Sequence, residues 1–397
     1  MADRLPDADW TKREDLGQLV EALGATSMRW VGGCVRDTML GIAPHDIDCA
    51  TTHRPGTVID KCRAAGIRTV PTGIDHGTIT AILDGGPVEV TTLRRDVSTD
   101  GRRATVAFAD DWREDAARRD FTINALYAHP ETLELDDYFG GLADLSARRV
   151  RFIGDARERI REDHLRILRY FRFQARFGDA LDDEAIAACE ELAATLKGLS
   201  RERVAMELLA ILSLPHPVAT VQLMEKLGVL GVVLPEAHRN EIVCLIALVA
   251  SEAAHGHAPE GIRRLAALIP PIPTIAEAVA ARLRLSKAQR VRLVCAAERK
   301  PADVDAPRVL AYREGTDCAI DRLLLSGAST ETLAGWEIPE LPLKGGEIVA
   351  RGVGAGPEVA RILRAVETRW IGEEFPDRDR VEELLSEELV RREKPSA

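Results

Sequence analysis

Asp46 and Asp48 stand two residues apart in PHDIDCATT, a segment that ends in β-branched residues. On a strand, that spacing turns both carboxylates to one face. Two oxygen donors on one face can share a divalent cation, and Mg2+ keeps its remaining positions for water and phosphate oxygens, which suits a triphosphate substrate. Upstream lies VGGCVRDTMLG, in which Gly32 and Gly33 let backbone amides approach a ligand and Arg36 offers a fork suited to phosphate. Glu89 follows in VEVTTLR. A solvated Asp pair or a surface Arg–Asp pair is the ordinary reading of either string alone, and neither matches the G-x-G-x-x-G fingerprint or the P-loop. The order of glycine turn, arginine, helix, Asp-x-Asp strand and Glu strand would gather three carboxylates and a phosphate cradle on one sheet face.

The elements that must hold these residues change character along the chain. The first 140 residues alternate short β-branched runs with helical stretches, and MRWVGGCV, HDIDCATT, GTITAIL and PVEVTTLR read as strands or strand ends. From about Ala180 onward Ala, Leu and Glu dominate, so an α+β head precedes an all-helical remainder. One long amphipathic helix is expected from Arg157 to Phe177, others from Ser200 to Leu212 and through Ile242 to Ala254. LIPPIPTI at 268–275 reads as a linker, and Trp336–Val349 as a second break. The domains expected are a head at 1–145, a neck at 146–200, a body at 201–267 and a tail at 268–397.

Composition narrows the class. With 46% hydrophobic and 29% charged residues, the 397-residue chain is too apolar for disorder to be its main state. Its longest apolar run is VCLIALVA, Val243 to Ala250, far short of a membrane span, and MADRLPDADW has no secretory pattern. A cytoplasmic protein with no membrane partner is expected. Seven scattered cysteines without a CxxC pair read as buried free thiols. The formal charge of −11 opposes nucleic-acid binding in bulk, yet Ser146–Gly178 holds ten arginines against four acids, so a local basic groove is available. Aromatic residues number 17, too few for a platform that stacks several bases.

The string GG-x-V-R-D followed by D-x-D resembles the nucleotidyltransferase head of the class II CCA-adding enzyme and poly(A) polymerase family. RRDFTINAL (118–126) resembles that family's ribose-recognition motif, EDHLRILRYFRF (162–173) its base-selecting motif, and LSRERVAMELLAIL (199–212) the helix that follows, in the family's order. Trp336–Leu363 resembles the tail segment of bacterial and mitochondrial members, so the resemblance covers nearly the whole chain. It implies a small mixed sheet flanked by helices, then helical neck, body and tail in an elongated molecule. It also implies an enzyme that transfers CMP twice and AMP once to the 3′ end of tRNA from CTP and ATP, releasing pyrophosphate without a nucleic-acid template.

The base-selecting string can be read physically. Asp163, Arg166, Arg169, Arg172 and Arg176 differ by threes and fours, so on one helix the arginines fall within about 120° of arc beside Leu168, Phe171 and Ala175. Cytosine and adenine present an exocyclic amine beside a ring acceptor, whereas uracil and guanine present a carbonyl beside an N–H. An Asp163 acceptor one turn from an Arg166 donor therefore accepts C and A and rejects U and G. By resemblance Arg169 completes this template, Arg172 meets nucleotide or RNA phosphate, Arg119 serves the nucleotide, Asp120 the sugar, and Asn124 shapes the pocket. Asp120 beside Arg119 could read a ribose 2′-OH, or it could cap the next helix.

TGIDHGTIT (72–80) resembles the CCA-adding pattern, and Leu93–Trp112 retains a loop with a DGRR turn at Asp100–Arg103, which favours addition of the final A. A poly(A) polymerase and an A-only enzyme are the alternatives within the class, and a catalytically silent RNA-binding protein is the alternative outside it. His255 and His257 lack an adjacent carboxylate, so no second hydrolase activity is expected. The acceptor arm of tRNA would be gripped through its phosphates and A-form shape. No protein partner is inferable.

Overall fold

The computed structural model describes residues 3–99 and 104–393; the DGRR turn at Asp100–Arg103 lies outside them. The chain divides into two compact units, Met1–Pro235 and Glu236–Ala397.

The first unit runs α1 (Glu14–Leu23), β1 (Met28–Val31), α2 (Gly33–Met39), β2 (Ile47–Thr51), α3 (Pro55–Ala64), β3 (Arg68–Gly73), β4 (Thr78–Leu83) and β5 (Gly86–Thr92). It continues through β6 (Arg94–Thr99), β7 (Ala104–Phe108), α4 (Trp112–Ala117), β8 (Leu126–Ala128), β9 (Leu135–Asp137) and α5 (Gly141–Ser146). Seven strands form one sheet in the order β3-β4-β5-β2-β1-β8-β9, with β6 and β7 a separate ribbon. The β2–β5 pair is parallel and the other pairs of the large sheet are antiparallel, so the sheet is mixed, as expected. The four strands expected from the sequence are β1, β2, β4 and β5. On β2, Ile47 and Cys49 point into the core while Asp48 stays partly exposed, the alternation that fixes the strand's face.

Helices follow: α6 (Ala156–Glu162), α7 (Arg166–Phe177), α8 (Asp183–Leu192), α9 (Arg201–Leu212), α10 (Val218–Lys226) and α11 (Val229–Val233). The single helix expected over Arg157–Phe177 is two helices. Asp163 leaves helical geometry (φ −150°, ψ 105°), and its carboxylate accepts from Leu165 N at 3.1 Å in a local turn that leads into the next helix. Asp163 and Arg166 are therefore not neighbours on one helix face. On α7 the buried side chains include Leu168, Tyr170, Phe171 and Phe177, and the face carrying Arg166, Arg169, Arg172 and Arg176 is left partly exposed.

The second unit is helical: α12 (Arg239–Ala254), α13 (Gly261–Ala267), α14 (Pro273–Arg282), α15 (Lys287–Ala297), α16 (Pro307–Glu314), α17 (Thr316–Leu325), α18 (Gly345–Ala350), α19 (Pro357–Gly372) and α20 (Arg378–Glu393). Its last three helices pack around Trp370, Ile362, Val366, Val381 and Leu384. The linker expected at 268–275 is instead a tight connection between α13 and α14 whose Leu268 and Ile269 are buried. The reading of all cysteines as buried thiols also needs correction, because Cys295 and Cys318 are joined and Cys244 is exposed; Cys34, Cys49, Cys62 and Cys189 are buried and free. Among the described residues no helix is long and apolar enough to cross a membrane.

Candidate active site

Strand β1 ends in a turn that only glycine makes without strain. Gly32 has φ +77°, and a Cβ placed there would sit 3.4 Å from Arg119 NH1. The turn thus opens α2 with the Arg119 guanidinium laid against it. Arg36, expected as a phosphate fork, is used differently. Its guanidinium is buried, donates to Asp37 Oδ1 (2.8 Å) and Asn124 Oδ1 (2.5 Å), and lies 4.2 Å from the centroid of the Phe177 ring. Burial lowers its pKa against the pull of Asp37. It donates to Asp37 and Asn124 while its flat face stacks on Phe173 and Phe177 of α7, so Arg36 lines the cavity with its plane already set.

Asp46 lies just before β2 and is exposed, with His45 Nδ1 at 3.0 Å, while Asp48 lies within the strand. The parallel register sets Glu89 of β5 directly beside Asp48. Burial raises the Asp48 carboxyl to about 6, with Glu89 and Asp46 adding to the rise and Arg119 opposing it. Like charges are crowded here without an arginine clamp, and a hard divalent cation held by Asp46 and Asp48 would relieve that crowding. Among the described residues no group of three or more His, Cys, Asp or Glu is arranged to hold a metal, so the three carboxylates expected to gather reduce to the Asp46–Asp48 pair with exposed Glu89 alongside.

The opposite wall is built of arginines, each held by a carboxylate. Asp115, fully buried on α4, accepts from Tyr127 OH (2.7 Å), Arg118 (2.8 Å) and Arg119 NH2 (3.2 Å). Burial alone would raise Asp115, but Arg119 and Arg118 overcome it and hold the carboxyl down at about 2. Asp120 accepts from Phe121 N (2.9 Å), Asn124 Nδ2 (3.0 Å), Arg169 Nε (2.9 Å) and Arg169 NH2 (2.5 Å). Those four bonds occupy the acceptor directions of the carboxylate. Asp120 therefore fixes Arg169 and Asn124 and does not cap a helix. Arg166 donates to Glu162 (2.5 Å) and to Arg159 O (2.7 Å), and Arg172 donates to Glu207 (2.6 Å).

A cavity of about 710 Å³ is lined by every site residue named from the sequence except Glu89: Gly32, Gly33, Arg36, Asp46, Asp48, Arg119, Asp120, Asp163, Arg166, Arg169 and Arg172. Arg203 lines it as well, and Asp115, Glu162 and Glu207 support its walls. These four were missed. Glu162, Arg203 and Glu207 lie inside strings already singled out, and the i,i+4 spacing of Glu162 to Arg166 and Asp115 to Arg119 was a readable sign.

Residues 28–151 match the family model of the poly A polymerase head domain, and residues 180–240 match the probable RNA and SrmB-binding site of polymerase A. The chain is 36% identical to mitochondrial CCA tRNA nucleotidyltransferase 1 of Mus musculus over 363 residues, 86% of this chain and 82% of the mouse protein, and 36% identical to the Homo sapiens counterpart over the same shares. Its fold is similar to that of the Bacillus stearothermophilus CCA-adding enzyme solved with CTP (TM-score 0.76, 24% identity, 96% of this chain and 98% of that one). It is also similar to the Thermotoga maritima CCA-adding enzyme complexed with tRNA (TM-score 0.69, 21% identity, 95% of each chain). With its glycine turn, aspartate pair and arginine wall in one head and its relatives matched along most of their length, the chain belongs to the tRNA nucleotidyltransferase and poly(A) polymerase family, on its CCA-adding branch.

Proposed function

We propose that this chain adds C, C and A in turn to the 3′ end of tRNA, consuming CTP and ATP and releasing pyrophosphate. The observation that carries the reading is the convergence of the Asp46–Asp48 pair, the glycine turn and the Asp163–Arg166 segment on one cavity. Transfer joins the tRNA 3′-oxygen to the α-phosphorus and breaks its bond to the β,γ-pyrophosphate. The family works with divalent metal ions; we assign Mg2+, held by Asp46 and Asp48, which supplies charge neutralisation at the triphosphate and activates the hydroxyl. Glu89 supports that pair. The Gly33 amide and the Arg119 guanidinium receive the phosphates, Gly32 shaping the turn while its own N–H donates to Leu126 O (3.2 Å), and Arg169, fixed by Asp120, meets the nucleotide. Arg172 keeps its outward donors for phosphate. Asp163 reads the base edge from the α6–α7 break and Arg166 from the first turn of α7.

The functional parts we assign are head 1–145, neck 146–200, body 201–267 and tail 268–397; body and tail divide inside the compact unit Glu236–Ala397. We place the reaction in the cytoplasm. The test is incubation with Mg2+ and tRNA lacking its CCA end, with CTP and ATP supplied singly and together and product length read at single-nucleotide resolution. Three additions, with two from CTP alone, are expected. A long adenylate ladder, or A added only to tRNA ending in CC, overturns the reading.

A further inference from the structure

Asp163 is held from outside its own segment. Its Oδ1 accepts from Leu165 N at 3.1 Å, and its Oδ2 accepts from Arg203 NH2 at 2.5 Å. Arg203 comes from the first turn of α9, forty residues later in the chain, where Ser200 caps the helix by accepting from Arg203 N. Arg166 is held by different groups, Glu162 and the carbonyl of Arg159. One turn further along α9, Glu207 takes Arg172. The same helix face thus presents a cation to the acidic member of the site and an anion to a basic one.

We propose that Arg203 is a specificity-determining residue, a positioning residue that selects nucleobases bearing an exocyclic amine by fixing the plane of the Asp163 carboxylate. The inference rests on Asp163 as the acceptor in base selection. Asp163 sits in an extended break between two helices, so its carboxylate is ordered by the hydrogen bonds it accepts and not by a helix face. A carboxylate free to turn offers an oxygen in many directions, and ordering it then falls to the incoming base. Two bonds, one to each oxygen, remove that freedom in advance. Each oxygen keeps a second lone pair, so the amine of cytosine or adenine is still accepted. The carbonyl of uracil would face a fixed acceptor with no donor to offer, and rejection is sharpened because Asp163 cannot swing aside. Arg203 is about a third exposed at its side chain and lines the cavity, so it acts at the site and not through the core.

The experiment measures single-nucleotide addition to tRNA lacking CCA, with CTP or UTP, for the full chain and for Arg203→Met, Arg203→Lys, Asp163→Asn and the Asp163→Asn/Arg203→Met double variant, each with its melting temperature. Arg203→Met is expected to raise KM for CTP about tenfold while kcat changes less than about threefold, and to narrow the CTP-over-UTP preference about tenfold. Arg203→Lys recovers part of that preference, and the double variant discriminates no worse than Asp163→Asn alone. If Asp163→Asn loses discrimination while Arg203→Met keeps it, or if the two losses multiply, the role of Arg203 is overturned. If Asp163→Asn discriminates as the unaltered chain does, base selection by Asp163 falls and Arg203 falls with it.

Discussion

Both compact units bury arginine–carboxylate networks, and they do so to different ends. In Glu236–Ala397, Glu252 accepts from Arg263 (2.7 Å) and Arg264 (2.8 Å), while Asp321 accepts from Arg263 (3.3 Å) and Arg292 (2.6 Å). The side chains of Glu252, Arg263, Arg264 and Asp321 are at most 4% exposed, so their bonding capacity is spent on one another. In Met1–Pro235 the carboxylates Asp115 and Asp120 are 1% and 9% exposed, but the arginines they hold, Arg119 and Arg169, remain 19% and 32% exposed. A sealed network costs desolvation and returns rigidity, whereas a half-open one orders donors that still face a ligand. Asp46 and Asp48 are the third case, carboxylates with no arginine clamp, left for a cation.

The sharpest test of that division is Asp48→Asn. Asp48 is half-buried and burial pushes its carboxyl up, so removing its charge costs no stability; with the pair as the proposed metal ligands, CMP incorporation is expected to fall at least a thousandfold while the melting temperature does not drop. A residual rate within tenfold would place the pair outside the reaction. Removing a carboxylate from the sealed network should do the reverse. Glu252→Ala takes from Arg263 and Arg264 the carboxylate they share in the interior and is expected to cost about 3 kcal/mol in urea unfolding, with CTP binding in native buffer unchanged. Equal losses of stability and binding would mean that the two networks are not separable in function.

Asp115 tests the boundary between the cases. Its folded-state carboxyl is depressed to about 2, so the stabilisation it supplies is complete above the ordinary Asp value and disappears as pH falls through about 4 towards 2. That contribution is about 2 kcal/mol. Asp115→Asn should flatten the stability profile across that window while leaving the slope above pH 5 alone, as read by chemical denaturation at stepped pH. An unchanged profile would show that Arg118 and Arg119 do not hold the charge.

The sequence made the strands beneath the site legible because β5 alternates buried Val88, Val90 and Thr92 with more exposed neighbours and β2 is a mostly buried run broken only by Asp48, patterns that depend on local chain geometry. It could not reveal the break at Asp163, since the arginine and apolar spacings continue across it in helical phase; the lone sign was an Asp in position to turn the chain into a new helix. The fate of Arg36 was equally hidden. Whether a guanidinium faces phosphate or is stacked on Phe177 depends on Asn124 and α7, which arrive 88 and more residues later. Edge strands β3 and β9 are exposed or short, and interior β8 is only three residues, all buried, so none of them shows an alternation. The Cys295–Cys318 pairing joins residues on two helices, which spacing alone does not indicate.

The parallel pairing of β2 with β5 also limits how the gene can change length. Asp48 shares its position in the ladder with Glu89, and Cys49 shares the next with Val90, both of the latter buried. Deleting a single codon within Ile47–Thr51 would shift that ladder by one, sending an aspartate into the core and a thiol to the substrate. The connection from Gly41 to His45, which carries no strand partner among the ladders of the sheet, can absorb such a change in length. Insertions and deletions among related chains should therefore accumulate in that connection and stop short of the strand.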